Sequence, residues 1–261
     1  MRKMSNKPLV LTRLKGIKQI TPGDDLVDVI INALRKTRIT LKDGDILVLA
    51  QKIVSKSEAR LVNLTSVIPS DRAKVIANEV DKRPELIQLI LDESNEVLRK
   101  RPGTIIVEHK SGFVCANAGI DHSNVHGEWG AAEDWVLLLP EDANSSADQI
   151  RERLKDKYGK NIGVLIIDSH GRAWRLGTIG MAIGLSGMPA LVDMRGVEDL
   201  FNYKLRVTVV AAADELAAAA SLMMGQAAEG TPVVHVRGFP YALQNGSAKD
   251  LVRPKGFDLF R

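Results

Sequence analysis

Two runs of aliphatic residues stand out along the chain, at 46–50 (ILVLA) and 162–167 (IGVLII), and polar side chains follow each of them. Apolar runs of this length, without polar alternation, are typical of strands that are covered on both faces. Shorter runs predict further strands at 104–108, 112–117, 137–140, 205–211 and 233–237. The pattern therefore predicts a sheet with a buried centre, whose strand ends carry the polar groups.

Apolar residues at helical spacing predict helices over 26–36, 70–80, 84–98, 144–158 and 214–224. Helices and strands are interspersed, and no linker or repeat separates them. We therefore expect residues 1–261 to form one α+β unit with mixed sheets and flanking helices, in which two interlaced lobes remain an option. The chain has no G-x-x-x-x-G-K-[ST] and no G-x-G-x-x-G after a strand, which argues against P-loop and Rossmann folds.

Composition narrows the class of protein. The 261 residues are 45% hydrophobic and 26% charged, and no apolar stretch approaches the roughly 20 residues of a membrane span. The first residues are charged and lack the apolar segment of a signal peptide, so we expect a cytoplasmic protein without membrane partners. The net charge of +4 is dispersed and aromatic residues are only 4%, which speaks against nucleic acid as a partner. A small anionic substrate agrees with this charge equally well.

Two short acidic segments contain the candidate metal-binding residues. Asp121 lies in AGIDHSN (118–124), and Asp168 directly follows the apolar run 162–167. A carboxylate at the end of a buried strand, beside hydroxyl and amide oxygens, is a typical ligand of a hard divalent cation. Aspartate at such a place also starts turns and caps helices, so each residue alone allows that simpler interpretation. The two together favour a metal and phosphate site.

Basic residues and backbone amides follow the same strand ends. The group consists of Lys52, Lys56, Arg172, Arg175 and the amides of 225–230 (GQAAEG). Together they suit a cradle for nucleotide phosphates, whereas each lysine or arginine alone is more typical of a solvated surface charge. The five glycines between 171 and 187 predict backbone packed closely against another group, with phosphate as one candidate.

Other chemistries have weaker support. His122 and His126 have the spacing of a helical metal-ligand pair, but glycines flank the segment and argue against the helix that such a zinc pair requires. No Gly-x-Ser-x-Gly elbow is present. The single cysteine, Cys115, lies in an apolar run and is predicted to be a small core residue rather than a nucleophile.

Five segments, taken in chain order, resemble the coenzyme F420:L-glutamate ligase family. They are GIKQITPGDDL (16–26), IVSKSEAR (53–60), NAGIDHSNV (117–125), IDSHGR (167–172) and MGQAAEGTPVV (224–234). The block NAGIDHSN is the most specific of them. The resemblance implies the α+β fold of that family and a GTP-dependent ligase, which adds L-glutamate to the lactyl carboxylate of a deazaflavin precursor and then extends a γ-linked tail. It also implies two divalent cations, Mg²⁺ or Mn²⁺, a K⁺ ion and a homodimer.

The same resemblance assigns roles to residues. It implies that Asp121 and Asp168 bind one metal ion, that Ser169 and Gln226 lie near the second, and that Lys56 neutralises charge during phosphoryl transfer. Asp121, Asp168 and Lys56 form the implied catalytic set. The implied nucleotide contacts are Ile17, Lys18, Gln19, Ile20, Gln51, Lys52, Lys56, Asn124, Gly225, Gln226, Ala227, Ala228, Glu229 and Gly230. Among these, 17–20 or Gln51 are expected to bond the guanine edge.

Two positions depart from the family pattern. Ala59 stands where glycine is frequent, and Gln226 is neutral where some members carry glutamate, which binds a hard cation more strongly than an amide does. Two other classes of function stay open. A different metal-dependent phosphoryl-transfer enzyme, such as a small-acid kinase, would use the same site. A non-enzymatic nucleotide-binding module would show no turnover and a steep loss of affinity with salt.

Overall fold

A computed structural model describes residues 7–127 and 129–259, and within them strands and helices alternate. The strands are β1 Val10–Arg13, β2 Ile46–Ala50, β3 Leu61–Asn63, β4 Ser94–Arg101, β5 Thr104–His109, β6 Val114–Ala116, β7 Trp135–Leu137, β8 Gly163–Arg172, β9 Arg175–Ser186, β10 Val192–Asp193, β11 Val209–Val210 and β12 Val233–Arg237. The α-helices are α1 Leu26–Thr37, α2 Gln51–Ser57, α3 Asp71–Val80, α4 Pro84–Asp92, α5 Ala143–Tyr158 and α6 Ala212–Met224. Across these two described ranges, every helix is too short or too polar to cross a bilayer.

The central sheet has five strands in the order β1-β12-β2-β8-β9. β2 and β8 run parallel, and every other neighbouring pair is antiparallel. Helices α1 and α5 cover one face of this sheet, and α6 covers the other. Because both faces are covered, the residues of β2 and the first half of β8 are buried throughout, which explains their continuous apolar sequence. The predicted α+β class with mixed sheets is confirmed.

Helix α5 begins slightly earlier than its sequence suggests. The helix starts at Ala143, and the carboxylate of Asp142 caps it by accepting a hydrogen bond from the backbone N–H of Asn144. The predicted start of this helix, at residue 144, is therefore one residue late. The Asn144 side chain instead accepts hydrogen bonds from the backbone N–H groups of Leu185 and Ala248, so it ties α5 to β9 and to the C-terminal part of the chain.

The glycine-rich segment after Asp168 forms strand β9. A Cβ atom on Gly180 would lie 2.5 Å from the carbonyl oxygen of Ala217 in α6, and one on Gly184 would lie 2.3 Å from the backbone of Ala143 in α5. Residues four apart on a regular strand share a face, but a register shift inserts Ile183 as an extra residue and turns the two glycines to opposite faces. The predicted close packing is confirmed for Gly180 and Gly184, which lie against helices, and for Gly187, which lies against the Arg151 side chain of α5. It is wrong for Gly171 and Gly177, where a Cβ atom would meet nothing within 4 Å.

A buried carboxylate closes the amino-terminal end of β2. Asp45 is 1% exposed, accepts hydrogen bonds from Arg237 Nε at 2.8 Å and the backbone N–H of Lys42 at 2.8 Å, and lies 2.9 Å from His235 Nε2. Burial alone would raise the pKa of Asp45, but the hydrogen bonds from Arg237 and His235 outweigh it and hold that pKa well below its usual range. The charge at this end of the strand is fully compensated.

Residues 64–138 build a second hydrophobic core, in which α3 and α4 pack on β5 and β7. The predicted helix 84–98 is wrong in its second half, because α4 ends at Asp92 and residues Ser94–Arg101 form β4, paired with β5. The Glu, Leu, Arg and Lys residues of β4 favour helices by only tenths of a kcal/mol each, which a tertiary strand pairing readily outweighs. The organisation of the chain as one unit or as two interlaced lobes stays a prediction.

Candidate active site

Three segments of the chain meet at one edge of the central sheet. Ala50 and Ile167 are paired in the parallel β2–β8 ladder, so Gln51 and Asp168 follow side by side. The loop before β12 reaches the same edge, where the carbonyl of Pro232 accepts a hydrogen bond from the N–H of Ala50 at 2.9 Å. The carboxyl ends of adjacent parallel strands are a general place for ligand sites in α/β sheets. The predicted site residues therefore converge because of the sheet topology.

A cavity of about 1190 Å³ lies over this edge. Its lining contains every residue that was predicted for the site: Ile17, Lys18, Gln19, Ile20, Gln51, Lys52, Lys56, Asp121, Asn124, Asp168, Ser169, Gly225, Gln226, Ala227, Ala228, Glu229 and Gly230. Arg172 and Arg175, which were considered for the phosphate cradle, lie outside the lining and face each other in the β8–β9 hairpin. The structure thus brings together the lysines and the loop amides but not the two arginines.

Asp121 and Asp168 approach the cavity from different elements. Asp168 was expected at the end of a strand, but β8 continues through it and pairs it with Met181 of β9. Asp121 forms an isolated bridge with Leu137, with hydrogen bonds of 3.0 and 2.9 Å in the two directions. Burial, and then the negative charge of Asp168, raises the pKa of Asp121 to about 6. The two carboxylates are therefore electrostatic neighbours, as a shared cation requires.

Gln51 fixes the orientation of the Asp121 carboxylate. The Gln51 side chain is buried, and its Nε2 donates a hydrogen bond to Asp121 Oδ2 at 2.8 Å. Its Oε1 accepts a hydrogen bond from the hydroxyl of Ser55, also at 2.8 Å. An ionised carboxylate only accepts hydrogen bonds, so the NH₂ end of the amide is the end that faces Asp121. Both ends of the carboxamide are thus engaged within the protein, although Gln51 was predicted to contact nucleotide.

Lys52 and Lys56 leave the same helix, α2, toward the acidic turn. Lys52 Nζ donates to the carbonyl of Ser123 at 2.9 Å and lies 3.5 Å from Asp121 Oδ2. Lys56 Nζ donates to the carbonyl of Asn124 at 2.7 Å, and the Asn124 side chain in turn donates to the carbonyl of Ala227. Burial, and then the positive charge of Lys52, lowers the pKa of Lys56. The two amines tie the acidic turn and the 225–230 loop to α2.

The acidic turn itself is strained. Asn117 and Ala118 both have left-handed backbone angles, with φ of 51° and 53°, although neither is glycine. The Ala118 side chain is buried in the second core, and the Asn117 Oδ1 atom is buried without a hydrogen-bond partner. Such strain persists only where surrounding packing holds it, and it clusters at functional sites. The left-handed residues just before Asp121, held by packing, therefore mark this turn as a candidate functional segment.

A second group of side-chain oxygen atoms that could bind a cation lines the cavity around Ser169 and Gln226. The hydroxyl of Ser169 donates to Gln226 Oε1 at 2.9 Å, and Gln226 Nε2 donates to the hydroxyl of Ser221 at 2.9 Å. Beside them, Glu229 bends back onto its own loop and accepts a hydrogen bond from the N–H of Ala227 at 2.8 Å. This bond and those from the N–H groups of residues 229 and 226 lower the pKa of Glu229. The loop therefore presents amides that already hold one anionic group.

Sequence reasoning missed three aromatic residues of the site. His170 is buried, lines the cavity, and places Nε2 2.9 Å from Asp168 Oδ2 without the angle of a hydrogen bond. Trp129 and Trp135 line the cavity as a T-shaped pair, with ring centroids 5.3 Å apart. His170 could have been predicted, because residues two apart on a strand share a face and it therefore lies on the same face of β8 as Asp168. Trp129 carries no comparable pattern, because it lies in an irregular loop.

Two of the remaining predictions concern His and Cys residues. Residues 122–127 form turns and irregular backbone, so His122 and His126 do not lie one helical turn apart as a zinc pair would. Cys115 is buried, and burial, followed by the charge of Asp168, raises the pKa of its thiol to about 12. The prediction of a core cysteine is confirmed, and its neutral thiol is a poor nucleophile.

The fold and the cavity define an α+β protein with an acidic, lysine-flanked cleft, which is the kind of site an enzyme presents to anionic substrates. The family described as F420-0:gamma-glutamyl ligase matches residues 16–238 of the chain. Among individual proteins, the coenzyme F420:L-glutamate ligase of Methanothermobacter thermautotrophicus is 43% identical over 96% of this chain and 98% of its own length. The ligase of the same description from Archaeoglobus fulgidus is 42% identical over 95% of this chain and 94% of its own.

The enzyme of that description from Methanocaldococcus jannaschii is 43% identical over 85% of this chain and 86% of its own length. The chain therefore belongs to the F420-0:gamma-glutamyl ligase family, and the resemblance drawn from the sequence motifs is confirmed. Membership makes the protein an amide-bond-forming ligase of coenzyme F420 biosynthesis.

Proposed function

We propose that the protein uses GTP to join L-glutamate to the lactyl carboxylate of the deazaflavin precursor of coenzyme F420, and then extends a γ-linked glutamate tail. The observation that carries this proposal is the meeting of Asp121 and Asp168 with Lys52 and Lys56 in one cavity. A carboxylate does not acylate an amine unaided, so a ligase must first activate it, and a site that gathers cation ligands and amines suits phosphoryl transfer. The chain's membership in the ligase family supports the choice of acceptor.

The proposed reaction proceeds in two steps. An oxygen of the acceptor carboxylate attacks the γ-phosphorus of GTP, the bond to the β,γ-bridging oxygen breaks, and an acyl phosphate and GDP form. The amine of glutamate then attacks the acyl carbon, a proton leaves the nitrogen, and inorganic phosphate departs as the amide forms. Neither step needs an enzyme nucleophile, which agrees with the neutral, buried state of Cys115.

The donor set suits hard divalent cations, Mg²⁺ or Mn²⁺. Asp121 and Asp168 are close enough for the charge of one to raise the pKa of the other, and a cation between them would remove that repulsion. In residues 7–127 and 129–259, no three His, Cys, Asp or Glu side chains form a complete metal cage, so further ligands must be hydroxyl, amide or water oxygens. Ser169 and Gln226 would serve the second cation, and K⁺ enters by family resemblance alone. When bound, these cations offset phosphate charge.

Lys56 is proposed to neutralise charge that develops on the phosphates. Its amine reaches the cavity at the junction of the acidic turn and the 225–230 loop, and its lowered pKa reflects burial beside Lys52. A phosphate is the partner that would compensate this pair of positive charges. The side-chain change Lys56→Met keeps the length and removes the charge, so we expect a higher apparent KM for GTP and a lower kcat.

We propose that the 17–20 segment, rather than Gln51, reads the guanine edge. The Gln51 carboxamide is engaged at both ends by Asp121 and Ser55, whereas Lys18 and Gln19 line the cavity on an irregular, accessible segment. Discrimination of guanine from adenine needs polar groups that the wrong base leaves unpaired. Rates with GTP and ATP at equal concentration test this choice, and equal rates would remove the guanine assignment.

A homodimer in the cytoplasm completes the proposal. Large apolar side chains are exposed on the β8–β9 hairpin and on the 194–208 segment: Trp174, Leu176, Leu200, Phe201 and Val207. Exposed apolar groups concentrated in this way are typical of a surface that another chain covers. Light scattering coupled to size exclusion should give twice the 28.5 kDa chain mass. Phe201→Ser should shift it toward one chain mass, whereas Ile68→Ser, also exposed but distant in sequence, should leave it unchanged.

The decisive experiment is product analysis. The protein is incubated with the deazaflavin precursor, GTP and Mn²⁺, with and without L-glutamate, and the products are identified by mass. We expect glutamate adducts and GDP only when all components are present. Phosphate transfer without adducts would support the small-acid kinase instead. No turnover, together with nucleotide binding that weakens steeply with salt, would support the non-enzymatic module.

A further inference from the structure

The cavity is larger than one substrate requires. Ligand sites for a single small molecule typically occupy about 300–1,000 Å³, and this cavity has about 1190 Å³. The residues proposed for GTP come from the edge of the central sheet, from α2 and from the 225–230 loop. Another part of the lining comes from residues within 64–138 that have no role in that proposal: Val125, His126, Gly127, Trp129 and Trp135. Its chemistry is therefore informative about the second substrate.

Trp129 and Trp135 form a built aromatic wall in this part of the lining. Trp135 Nε1 donates a hydrogen bond to the backbone carbonyl of Trp129 at 2.5 Å, and the two rings meet edge to face at 72°. Trp135 also packs on Gly127, where a Cβ atom would lie only 1.9 Å from its ring. Trp135 is buried, but Trp129 is 56% exposed. A fixed backbone thus holds one large aromatic ring at the cavity surface.

Strand geometry places this wall close to the acidic centre. Asp121 is paired directly with Leu137, and Trp135 lies two residues before Leu137 on β7. Residues two apart on a strand project to the same face at a separation of about 7 Å. The Trp135 side chain therefore leaves β7 on the face that carries Asp121. A planar ring stacked on Trp129 would therefore share one cavity with the carboxylates, and the side chain of the ligand would connect the two places.

We propose that Trp129, supported by Trp135 and Gly127, is the stacking platform for the planar tricyclic ring of the deazaflavin acceptor. Indole faces attract flat heteroaromatic rings, and a stacked ring contributes a large share of binding free energy. The purine of GTP is also planar, but Ile17 and Ile20, from the segment proposed to read its base, pack with the core of the central sheet, whereas Trp135 belongs to a separate cluster with Val125 and Leu137. This inference rests on the proposed function, because it takes the acceptor to be a deazaflavin.

The test measures binding without turnover. The deazaflavin precursor is titrated into the full chain without GTP while tryptophan fluorescence is followed, in a Trp174→Phe background. Trp174 does not line the cavity, so this change removes a signal that is unrelated to it. Trp174 lies on the proposed dimer surface, where phenylalanine keeps an apolar aromatic side chain. We expect quenching by the precursor. Trp129→Ala should weaken its binding at least about 10-fold, and Trp129→Phe, which keeps an aromatic face, should stay within about 3-fold.

Steady-state kinetics identify the ring that stacks. Trp129→Ala should raise the KM for the deazaflavin precursor while the KM for GTP stays unchanged, which also shows that the site remains folded. Equal precursor affinity in Trp129→Ala and its parent would overturn the platform while leaving the proposed function standing. A raised KM for GTP alone would assign the wall to the purine and overturn the proposal. A parent protein that shows no precursor binding would overturn the proposed function itself.

Discussion

The two ends of β2 lead to aspartates in opposite electrostatic states. Before the strand, Asp45 is almost fully buried, and hydrogen bonds from Arg237 and His235 hold its pKa well below the usual range. After the strand, Gln51 leads to Asp121, where burial and the charge of Asp168 raise the pKa to about 6. One strand thus separates a fully compensated carboxylate from a pair whose charge Lys52 and Gln51 compensate only in part.

This difference separates stability from function. Both oxygens of Asp45 accept hydrogen bonds from the Arg237 guanidinium, and Oδ2 also accepts one from the backbone N–H of Lys42. Because this carboxylate is buried and already paired, it stabilises the fold and is not placed to bind a ligand. Two like charges at a cavity cost free energy unless a cation or a proton joins them. The backbone holds this pair in place, because Asp168 is paired with Met181 in the β8–β9 ladder and Asp121 is paired with Leu137. Perturbed carboxylates of this kind are candidates for binding and catalysis.

The largest expected effect is on activity at the Asp121 end. Asp168→Asn should lower kcat/KM by about 10³-fold or more, because it removes a charged cation ligand from the site. The melting temperature should stay the same or rise slightly, since the repulsion of Asp121 is relieved. Asp193→Asn, at an exposed residue paired with Arg195, is the control and should keep full activity. A wild-type rate for Asp168→Asn at low divalent-ion concentration would exclude the assigned role.

A change at Asp45, before β2, should affect stability and leave activity nearly unchanged. Asp45→Asn should lower the free energy of unfolding by about 2–3 kcal/mol, because it leaves Arg237 and His235 with an uncharged partner. The rate per folded molecule should stay within about 2-fold of wild type. Urea unfolding measures the first quantity, with the exposed Asp71→Asn as a control that changes little. Equal stability of both variants would contradict the comparison between the strand ends.

In metal-free protein, the repulsion between Asp121 and Asp168 should make the free energy of unfolding depend on pH. The folded-state pKa of Asp121 is raised to about 6, so proton binding favours the fold and the free energy of unfolding should rise as pH falls from 7 to 5. His109, whose pKa burial lowers to about 4, acts in the opposite sense. Subtracting the same measurement on Asp121→Asn isolates the Asp121 contribution, which we expect to be about 1 kcal/mol. The Asp45 contribution is constant in this range, since both of its pKa values lie lower.

Saturating Mn²⁺ should abolish that difference, because a bound cation takes the place of the proton. The measurement is therefore repeated with chelator and with Mn²⁺. A pH dependence that is the same in wild type and Asp121→Asn would mean that the pair is not coupled in solution.

The smallest expected effect lies at the end of α2, the helix that carries Gln51 and both lysines. Ala59 has a left-handed φ of 57°, a backbone conformation that favours glycine. Ala59→Gly should raise stability by less than about 1 kcal/mol, because relief of backbone strain exceeds the added freedom of the unfolded chain. Ala131→Gly, at an ordinary φ of −79°, should lower stability instead. Thermal unfolding of the two variants decides the sign.

Much of this arrangement was predictable from local sequence. The apolar runs of β2 and β8 are buried on both faces, so their composition alone identifies them, and the polar residues that follow them meet at one edge. The strand at residues 94–101 was not predictable in this way, because it forms through tertiary pairing with β5 and not through its local sequence preference. The coupling of Asp121 to Asp168 and the engagement of Gln51 by Ser55 depend on contacts between distant or differently facing residues, which periodicity does not encode.

The extra residue in β9 sets limits on which changes of chain length the protein tolerates. Ile183 separates the half of the strand that lies beside the cavity, where Gly180 touches α6, from the half where Gly184 touches α5. Deleting Ile183 would leave Gly180 and Gly184 three residues apart on a regular strand, which keeps them on opposite faces, so each glycine would still touch its own helix. The deletion would remove one buried apolar side chain and the bulge, but not the alternation of inner and outer faces along the hairpin. Loss of one residue from the facing part of β8, which pairs with β2 without any extra residue, would instead exchange the faces of one half of that strand. We therefore expect a one-residue deletion to be tolerated at the bulge of β9 and not in β8.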